Sequence, residues 1–174
     1  MSQSLAIANR QRLVSLNTRL LRGITKALLT DLLKLENFDL SIILVRSREM
    51  ARINQTYLEH EGSTDIITFD YADNVLPASR RQSGSNRPAG RRKHAHGELF
   101  ICLDDAITQA QEFRTTWQSE LARYVIHGVL HLQGYDDIRV ADRRKMKREE
   151  NHLLREITRL FPLKELGSGP KLAA

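Results

Sequence analysis

The segment that most restricts the fold is residues 124–138, which read YVIHGVLHLQGYDDI. Its apolar residues recur at helical spacing, so the segment predicts an amphipathic helix with one buried face. Four residues are close to one helical turn, which places His131 next to His127 on the same side of the helix. Gly134 follows three residues later, where a left-handed residue commonly ends a helix. The fold must therefore combine a partly buried helix with a turn that brings later residues back to the two imidazoles.

Asp137 stands beyond this turn, at a position from which its side chain can return to the two histidines. Two imidazoles and a carboxylate can bind Zn²⁺, and three protein ligands leave a fourth position for water, as in catalytic zinc sites. The pattern predicts one zinc site per chain, with His127, His131 and Asp137 as ligands. A carboxylate ligand also allows manganese or another divalent transition metal. The alternative is that two histidines four residues apart on a helix are ordinary polar or core residues.

The same segment resembles the zinc peptidase motif H-E-x-x-H-x-x-G-x-x-H except at two positions. Gly128 stands where a peptidase has its glutamate base, and Asp137 stands where a third histidine is usual. The missing general base disfavours a metallopeptidase. The neighbouring Asp136 is predicted to orient a histidine from outside the ligand set or to cap the final helix.

The remainder of the chain predicts an α+β fold. Helical spacing indicates a long helix from about Leu16 to Leu35 and a second helix capped by Ser47. Segments rich in apolar and β-branched residues predict strands at 4–9, 38–45, 65–71 and 97–103. We therefore expect a single domain in which a small mixed sheet of about four strands packs with helices, one of which carries the metal site.

The chain after residue 103 is predicted to be mostly helical. Thr115 and Gln118 fit a capping box for the helix that carries the histidines. The final helix is predicted from about Ala141 to Leu160, with Leu160 among its inward-facing residues. The closing residues GSGPKLAA predict a disordered tail at 167–174, which leaves a domain at 1–166.

A basic segment interrupts the predicted strands. Residues 73–96 contain almost no apolar residue after Leu76, so they predict a flexible loop between two strands of one domain. The net charge of +6 favours a polyanionic partner such as nucleic acid. Arg91, Arg92 and Lys93 are therefore candidate RNA contacts, while a purely solvated insertion explains the same composition.

The composition also indicates a cellular location. A single cysteine, Cys102, excludes an internal disulfide and suits a reducing compartment. No apolar run approaches the roughly 20 residues of a membrane span, and the first residues do not form a signal peptide. These features predict a cytoplasmic protein without a membrane partner.

The run HGVLHLQGYDD closely resembles the signature H-G-x-L-H-L-x-G-Y-D-H of the YbeY family of bacterial rRNA-maturation endoribonucleases. The segments MARINQTYLEHEGSTDIITF (50–69) and HGELFICLDDA (96–106) also resemble family motifs. The resemblance implies a zinc-dependent, single-strand-specific endoribonuclease that acts in 16S rRNA 3′-end maturation and ribosome quality control, with precursor rRNA and the ribosome as partners. It implies zinc binding by His127 and His131 directly, and by Asp137 through chemical substitution.

One departure from the family concerns the reaction itself. The family has an arginine implicated in activity directly after the position of Tyr57, where this chain has Leu58. A leucine cannot hydrogen-bond a phosphate, and the nearby His60 is a conjectural substitute. The sequence therefore assigns no catalytic residue and no oligomeric state. It leaves open a non-catalytic, ribosome-associated RNA-binding protein with a structural metal, and a metallopeptidase as a less favoured third alternative.

Overall fold

The fold is centred on one mixed β-sheet. The computed structural model describes residues 2–71, 76–77 and 92–169, with only the main chain at 76–77. Five strands form the main sheet in the order β1-β3-β6-β4-β5: β1 (Gln3–Asn9), β3 (Asn37–Val45), β4 (Ile66–Asp70), β5 (Leu76–Pro77) and β6 (His94–Cys102). The strands β1, β3 and β6 run parallel, whereas β4 is antiparallel to both β6 and β5. A separate two-stranded ribbon joins β2 (Ser15–Leu16) to β7 (Gly167–Ser168).

Helices cover both faces of this sheet. The α-helices are α1 (Thr18–Ala27), α2 (Ser47–Leu58), α3 (Leu103–Glu112), α4 (Trp117–Leu132) and α5 (Val140–Leu160). A π-helical turn at Leu28–Leu32 continues α1, and a 3₁₀ turn at Leu163–Leu166 precedes β7. This arrangement confirms the predicted α+β fold with a small mixed sheet. None of the helices in the described part of the chain has both the length and the apolar character of a membrane span.

Alternation along β3 divides the core into two parts. Leu40, Ile42 and Leu44 belong to the larger cluster, which also contains most of the buried apolar residues of α1 and α4. Ile43 and Val45 belong to a smaller cluster with Met50 of α2. Successive strand residues point to opposite faces, so β3 contributes to both clusters. The sheet therefore supports α4, and with it His127 and His131, from one side.

Two predicted helix starts are displaced by one residue. Ser47 is the first residue of α2, and its N–H donates to Asp104 Oδ2 at 2.9 Å. In α4 the cap is Thr116, whose hydroxyl accepts from the N–H of Ser119. The preceding Thr115 donates instead to Glu120 at 2.6 Å. In both cases a carboxylate accepts a hydrogen bond from the residue that was predicted to be the cap.

Other differences concern the ends of elements. The predicted long first helix is shorter and ends in the π-helical turn. Leu160 is 56% exposed, so it is not an inward-facing residue of α5. Gly167 and Ser168 are paired in β7, so the ordered chain extends beyond the predicted limit at 166, and residues 170–174 lie outside the described residues. Within the predicted loop 73–96, residues 76–77 pair with β4 and residues 94–96 belong to β6, while 78–91 lie outside the described residues.

Candidate metal centre

The two histidines are held by the most buried helix of the domain. The hydroxyl of Thr116 caps α4, and the apolar face of the helix packs on β4 and β6. His127 and His131 project from its partly exposed side, with their ring centroids 4.7 Å apart. Their Nε2 atoms are separated by 3.0 Å. The helix thus presents two nitrogen atoms to one point in space.

The turn after α4 places the carboxylate of Asp137 close to these nitrogens. Gly134 has φ +85°, a left-handed conformation that L-residues adopt only with strain, and it reverses the chain after the helix. Asp137 Oδ2 then lies 3.8 Å from His127 Nε2. The ligand atoms of His127, His131 and Asp137 all lie within 4.8 Å of one another. The structure therefore brings together the three residues that the sequence pattern selected.

Asp136 fixes the loop that carries this carboxylate. Its Oδ1 accepts the main-chain N–H groups of Asp137 at 2.7 Å and Ile138 at 3.1 Å. The N-cap of α5 is Arg139, so Asp136 does not cap that helix. Its observed role differs from both predicted roles, since it holds main-chain groups rather than a histidine ring.

The hydrogen bonds behind the two imidazoles fit a bound cation. His131 Nδ1 lies 3.1 Å from the main-chain oxygen of Tyr135, which can only accept, so Nδ1 carries the proton. His127 Nδ1 lies 3.0 Å from Glu150 Oε2, and an ionised carboxylate imposes the same tautomer. Both Nε2 lone pairs then face each other beside the Asp137 carboxylate. Two nitrogens that each lie about 2.0–2.1 Å from one zinc ion are at most about 4.2 Å apart, which the observed separation satisfies.

The electrostatics of the site agree with this assignment of protons. Burial alone raises the pKa of Glu150, but hydrogen bonds from His127, Lys147 and Arg123 outweigh it and lower that pKa to about 2. Burial, followed by the proximity of His127, lowers the pKa of His131 below its usual value. Glu150 is therefore an acceptor at neutral pH, and the His131 imidazole is neutral.

A cleft of about 210 Å³ opens in front of the three candidate ligands. Leu58 forms part of its wall and packs against the smaller core cluster. Leu58, at the position where the family resemblance predicts an arginine, therefore faces the candidate metal centre with hydrocarbon. His60 is exposed and is not among the residues that line the cleft. The remaining walls are formed by Asp65, Ile66, Ile67, Thr68, Asp136 and Ile138.

Gly128 faces the sheet and not the cleft. A Cβ at this position would lie 2.7 Å from Ile66 Cδ1 and 2.7 Å from Leu99 Cδ2. Such distances are too short for carbon atoms, so a longer side chain would have to push aside the side chains of Ile66 and Leu99 beneath α4. The position that carries the glutamate base in the peptidase motif has no room for one here.

The predicted RNA contacts are placed very differently from one another. Arg92 is buried, and its guanidinium donates to Asp70 Oδ2 at 2.8 Å and to the main-chain oxygen of Leu132 at 3.3 Å. This burial is incompatible with a surface contact to RNA. Lys93 is exposed and pairs with Glu36 at 2.9 Å, and Arg91 lies outside the described residues.

Sequence reasoning missed Glu150, Asp65 and Thr68 as members of the site. Glu150 follows His127 by 23 residues and reaches it only because α5 packs on α4. No local spacing connects these positions. Asp65 lies in a quoted family-like segment, but that resemblance gave it no role, and only the cleft reveals its position.

Comparison with known proteins identifies the family of this chain. The family profile "Endoribonuclease YbeY" matches residues 6–158. The chain belongs to this family. Members of the endoribonuclease YbeY family from Salinibacter ruber and Chlorobium luteolum are 36% and 37% identical to it over 118 and 121 residues. These matches cover 68% and 70% of this chain, and 69% and 75% of the two relatives.

Two further similarities extend over nearly the whole chain. The endoribonuclease YbeY of Alkaliphilus metalliredigens is 27% identical over 160 residues, which cover 90% of this chain and 97% of the relative. The solution structure of a Thermotoga maritima protein superposes with a TM-score of 0.61 at 23% identity, covering 97% of this chain and 99% of that one. The structural match supports the fold of the YbeY-family domain.

Proposed function

We propose that this chain is a zinc-dependent endoribonuclease that cleaves single-stranded RNA. The observation that carries the proposal is the convergence of three electron-pair donors, from His127, His131 and Asp137, at one side of an open cleft. Membership of the endoribonuclease YbeY family supplies the reaction class.

The residues of the cleft suit a phosphodiester substrate. Bound zinc would supply Lewis-acid polarisation of a phosphoryl oxygen and acidify a water molecule. His127 and His131 hold their Nε2 atoms toward the cleft, and Asp137 contributes negative charge beside them. RNA carries its own nucleophile in the 2′-hydroxyl, whose proton would pass to water in the cleft, so the reaction does not require a glutamate to activate a nucleophilic water.

Basic residues at the start of α5 lie next to this centre and support RNA binding. Arg143 Nε donates to the main-chain oxygen of Asp137 at 2.9 Å, and Lys147 Nζ donates to Glu150 at 2.7 Å. Arg144 and Arg148 are exposed on the same helix. Single-stranded RNA is held largely through such cationic contacts to its phosphates. We propose that these residues, together with Lys93 and Arg91, bind the RNA backbone.

We infer the wider biological role from the family resemblance. We propose action in the cytoplasm on the 3′ end of precursor 16S rRNA, with ribosome quality control as the associated process and the ribosome as partner. The support is the family relationship and the basic net charge of +6.

The test is cleavage of labelled single-stranded and double-stranded RNA by the purified full chain. We expect cleavage of the single strand only, loss of activity with a chelator, and recovery on addition of zinc. Asp137→Ala should abolish cleavage, whereas Asp142→Ala, on the neighbouring first turn of α5, should retain it. Cleavage that survives both the chelator and Asp137→Ala would refute the assignment of the site.

A second candidate function is favoured by Leu58 in the cleft wall. A hydrocarbon side chain there removes a cation that could stabilise charge on a phosphate. The protein would then bind RNA or ribosomes without cleaving RNA, and the metal would be structural. Zinc-loaded protein that binds ribosomes and leaves single-stranded RNA intact would support this alternative.

A further inference from the structure

Glu150 contacts His127 from a different helix. Its Oε2 lies 3.0 Å from His127 Nδ1, the ring nitrogen that does not face His131. The Glu150 side chain is only 4% exposed. A carboxylate is costly to bury unless all of its lone pairs find partners, so its surroundings bear directly on its role.

The two oxygens of Glu150 have separate partners. Oε1 accepts from Arg123 at 2.7 Å and from Lys147 at 2.7 Å, which leaves Oε2 for His127. Arg123 also donates to Asn151 at 2.9 Å, so its guanidinium is itself fixed between two residues of α5. Two cations on one oxygen prevent the carboxylate from rotating. The hydrogen bond to His127 is therefore held in one direction.

We propose that Glu150 is a positioning residue that fixes the tautomer and orientation of His127, so that Nε2 faces the metal with a free lone pair. This inference rests on the proposed metal centre. Partners of this kind behind a metal-bound histidine typically change metal affinity by about 10–100-fold when they are removed. A purely structural role for Glu150, as the centre of a buried ion cluster, would affect stability alone.

The variant Glu150→Gln separates the two roles. Glutamine has nearly the same shape, and its amide oxygen should turn toward Arg123 and Lys147 because both are donors. The amide NH₂ group then faces His127 Nδ1, which must accept a hydrogen bond. The ring proton consequently moves to Nε2, where it prevents that nitrogen from binding the metal.

The experiment combines two measurements on the full chain. Competition with a chromophoric chelator gives the zinc affinity, which should fall by about 10–100-fold in Glu150→Gln. Nitrogen NMR of metal-free protein, above the usual histidine pKa, should show the His127 proton on Nδ1 in the wild type and on Nε2 in the variant. Glu156→Gln is the matched control on α5, because Glu156 pairs with Arg159 at 3.0 Å, and it should keep zinc affinity within about twofold of wild type.

Failure of this inference can be distinguished from failure of the proposed function. A wild-type His127 with its proton on Nε2 would overturn the inference, even if no variant folds. Unchanged zinc affinity and an unchanged tautomer in folded Glu150→Gln would also overturn it. If wild-type protein binds zinc but does not cleave RNA, the nuclease proposal fails and the role of Glu150 is still decided. If wild-type protein binds no zinc, the metal centre fails and the role of Glu150 toward it fails with it.

Discussion

Gly128 and Leu99 are so close that a Cβ at position 128 would lie 2.7 Å from Leu99 Cδ2. We therefore expect Gly128→Ala to destabilise the protein by about 1–3 kcal/mol through overpacking, although alanine favours a helix by about 1 kcal/mol. Gly23 in α1 is the matched control, because its Cβ would meet only Phe161 at 3.9 Å. Gly23→Ala should stabilise by about 0.5–1 kcal/mol. Urea unfolding measures both, and a stabilised Gly128→Ala would contradict the packing.

Removal of the Arg92 side chain should reduce stability much more than removal of the side chain of its neighbour Lys93. The side chains of the Arg92–Asp70 pair are 7% and 1% exposed, whereas those of the Lys93–Glu36 pair are 70% and 52% exposed. Removing one partner of a buried pair costs about 3–5 kcal/mol, and an exposed pair contributes about 0–1 kcal/mol. We expect Arg92→Ala to lower the free energy of unfolding by the larger amount and Lys93→Ala by the smaller. Equal effects in denaturant unfolding would show that Arg92 is accessible to solvent.

We predict that replacing Tyr124 with phenylalanine stabilises the protein. The residue is 3% exposed, and its hydroxyl has no hydrogen-bond partner among the described residues. An unsatisfied buried polar group costs about 1–3 kcal/mol, so Tyr124→Phe should raise the free energy of unfolding by about 1 kcal/mol. Tyr71→Phe should lower it, because the Tyr71 hydroxyl donates to Glu98 at 3.0 Å. A destabilised Tyr124→Phe, measured by thermal unfolding, would indicate a bound water at that hydroxyl.

Leu58→Arg should increase RNA cleavage if the proposed function is correct. Leu58 lines the cleft, and a guanidinium there can donate two hydrogen bonds to a phosphate. Single groups of this type contribute about 10²–10³-fold to turnover, so an increase of about tenfold in kcat/KM is a conservative expectation. Leu58→Met is the control of similar volume and should leave kcat/KM unchanged. An unchanged kcat/KM in folded Leu58→Arg would show that phosphate stabilisation comes from elsewhere in the cleft.

Zinc should stabilise the fold through its three candidate ligands. A ligand that binds only the native state at 100 times its Kd adds about 2.7 kcal/mol to the free energy of unfolding. We expect this gain for the wild type and for Asp142→Ala, and its loss in Asp137→Ala. Thermal unfolding at increasing zinc concentration measures it. A zinc-dependent gain that persists in Asp137→Ala would place the metal at other residues.

The features that the sequence predicted are those set by local periodicity. The strand at 38–45 and the helix around His127 follow from alternation and helical spacing, and the structure has both. Asp137 was selected because the turn at Gly134 is also a local feature. The caps of α2 and α4 were each predicted one residue away from the observed position: no side chain caps α2, where the N–H of Ser47 donates to Asp104, and in α4 the hydroxyl of Thr115 donates to Glu120 while Thr116 caps the helix.

The features that the sequence did not predict depend on packing between distant segments. Glu150 belongs to the site because α5 lies against α4, and a charge run along α5 does not reveal which member points inward. The same limit applies to Arg92, which lies in a segment with the composition of a surface loop but is buried like a core residue. Its partner, Asp70, lies at the end of a strand 22 residues earlier.

The ribbon between β2 and β7 has a consequence for how the chain is made. Ser15 and Leu16 pair with Ser168 and Gly167, and the N–H of Asn17 donates to the carbonyl of Leu166 at 2.8 Å. Synthesis proceeds from the amino terminus, so the first of these segments waits for its partner until almost the whole described chain has been translated. A nascent chain on the ribosome therefore lacks this closure until residues 166–168 have emerged.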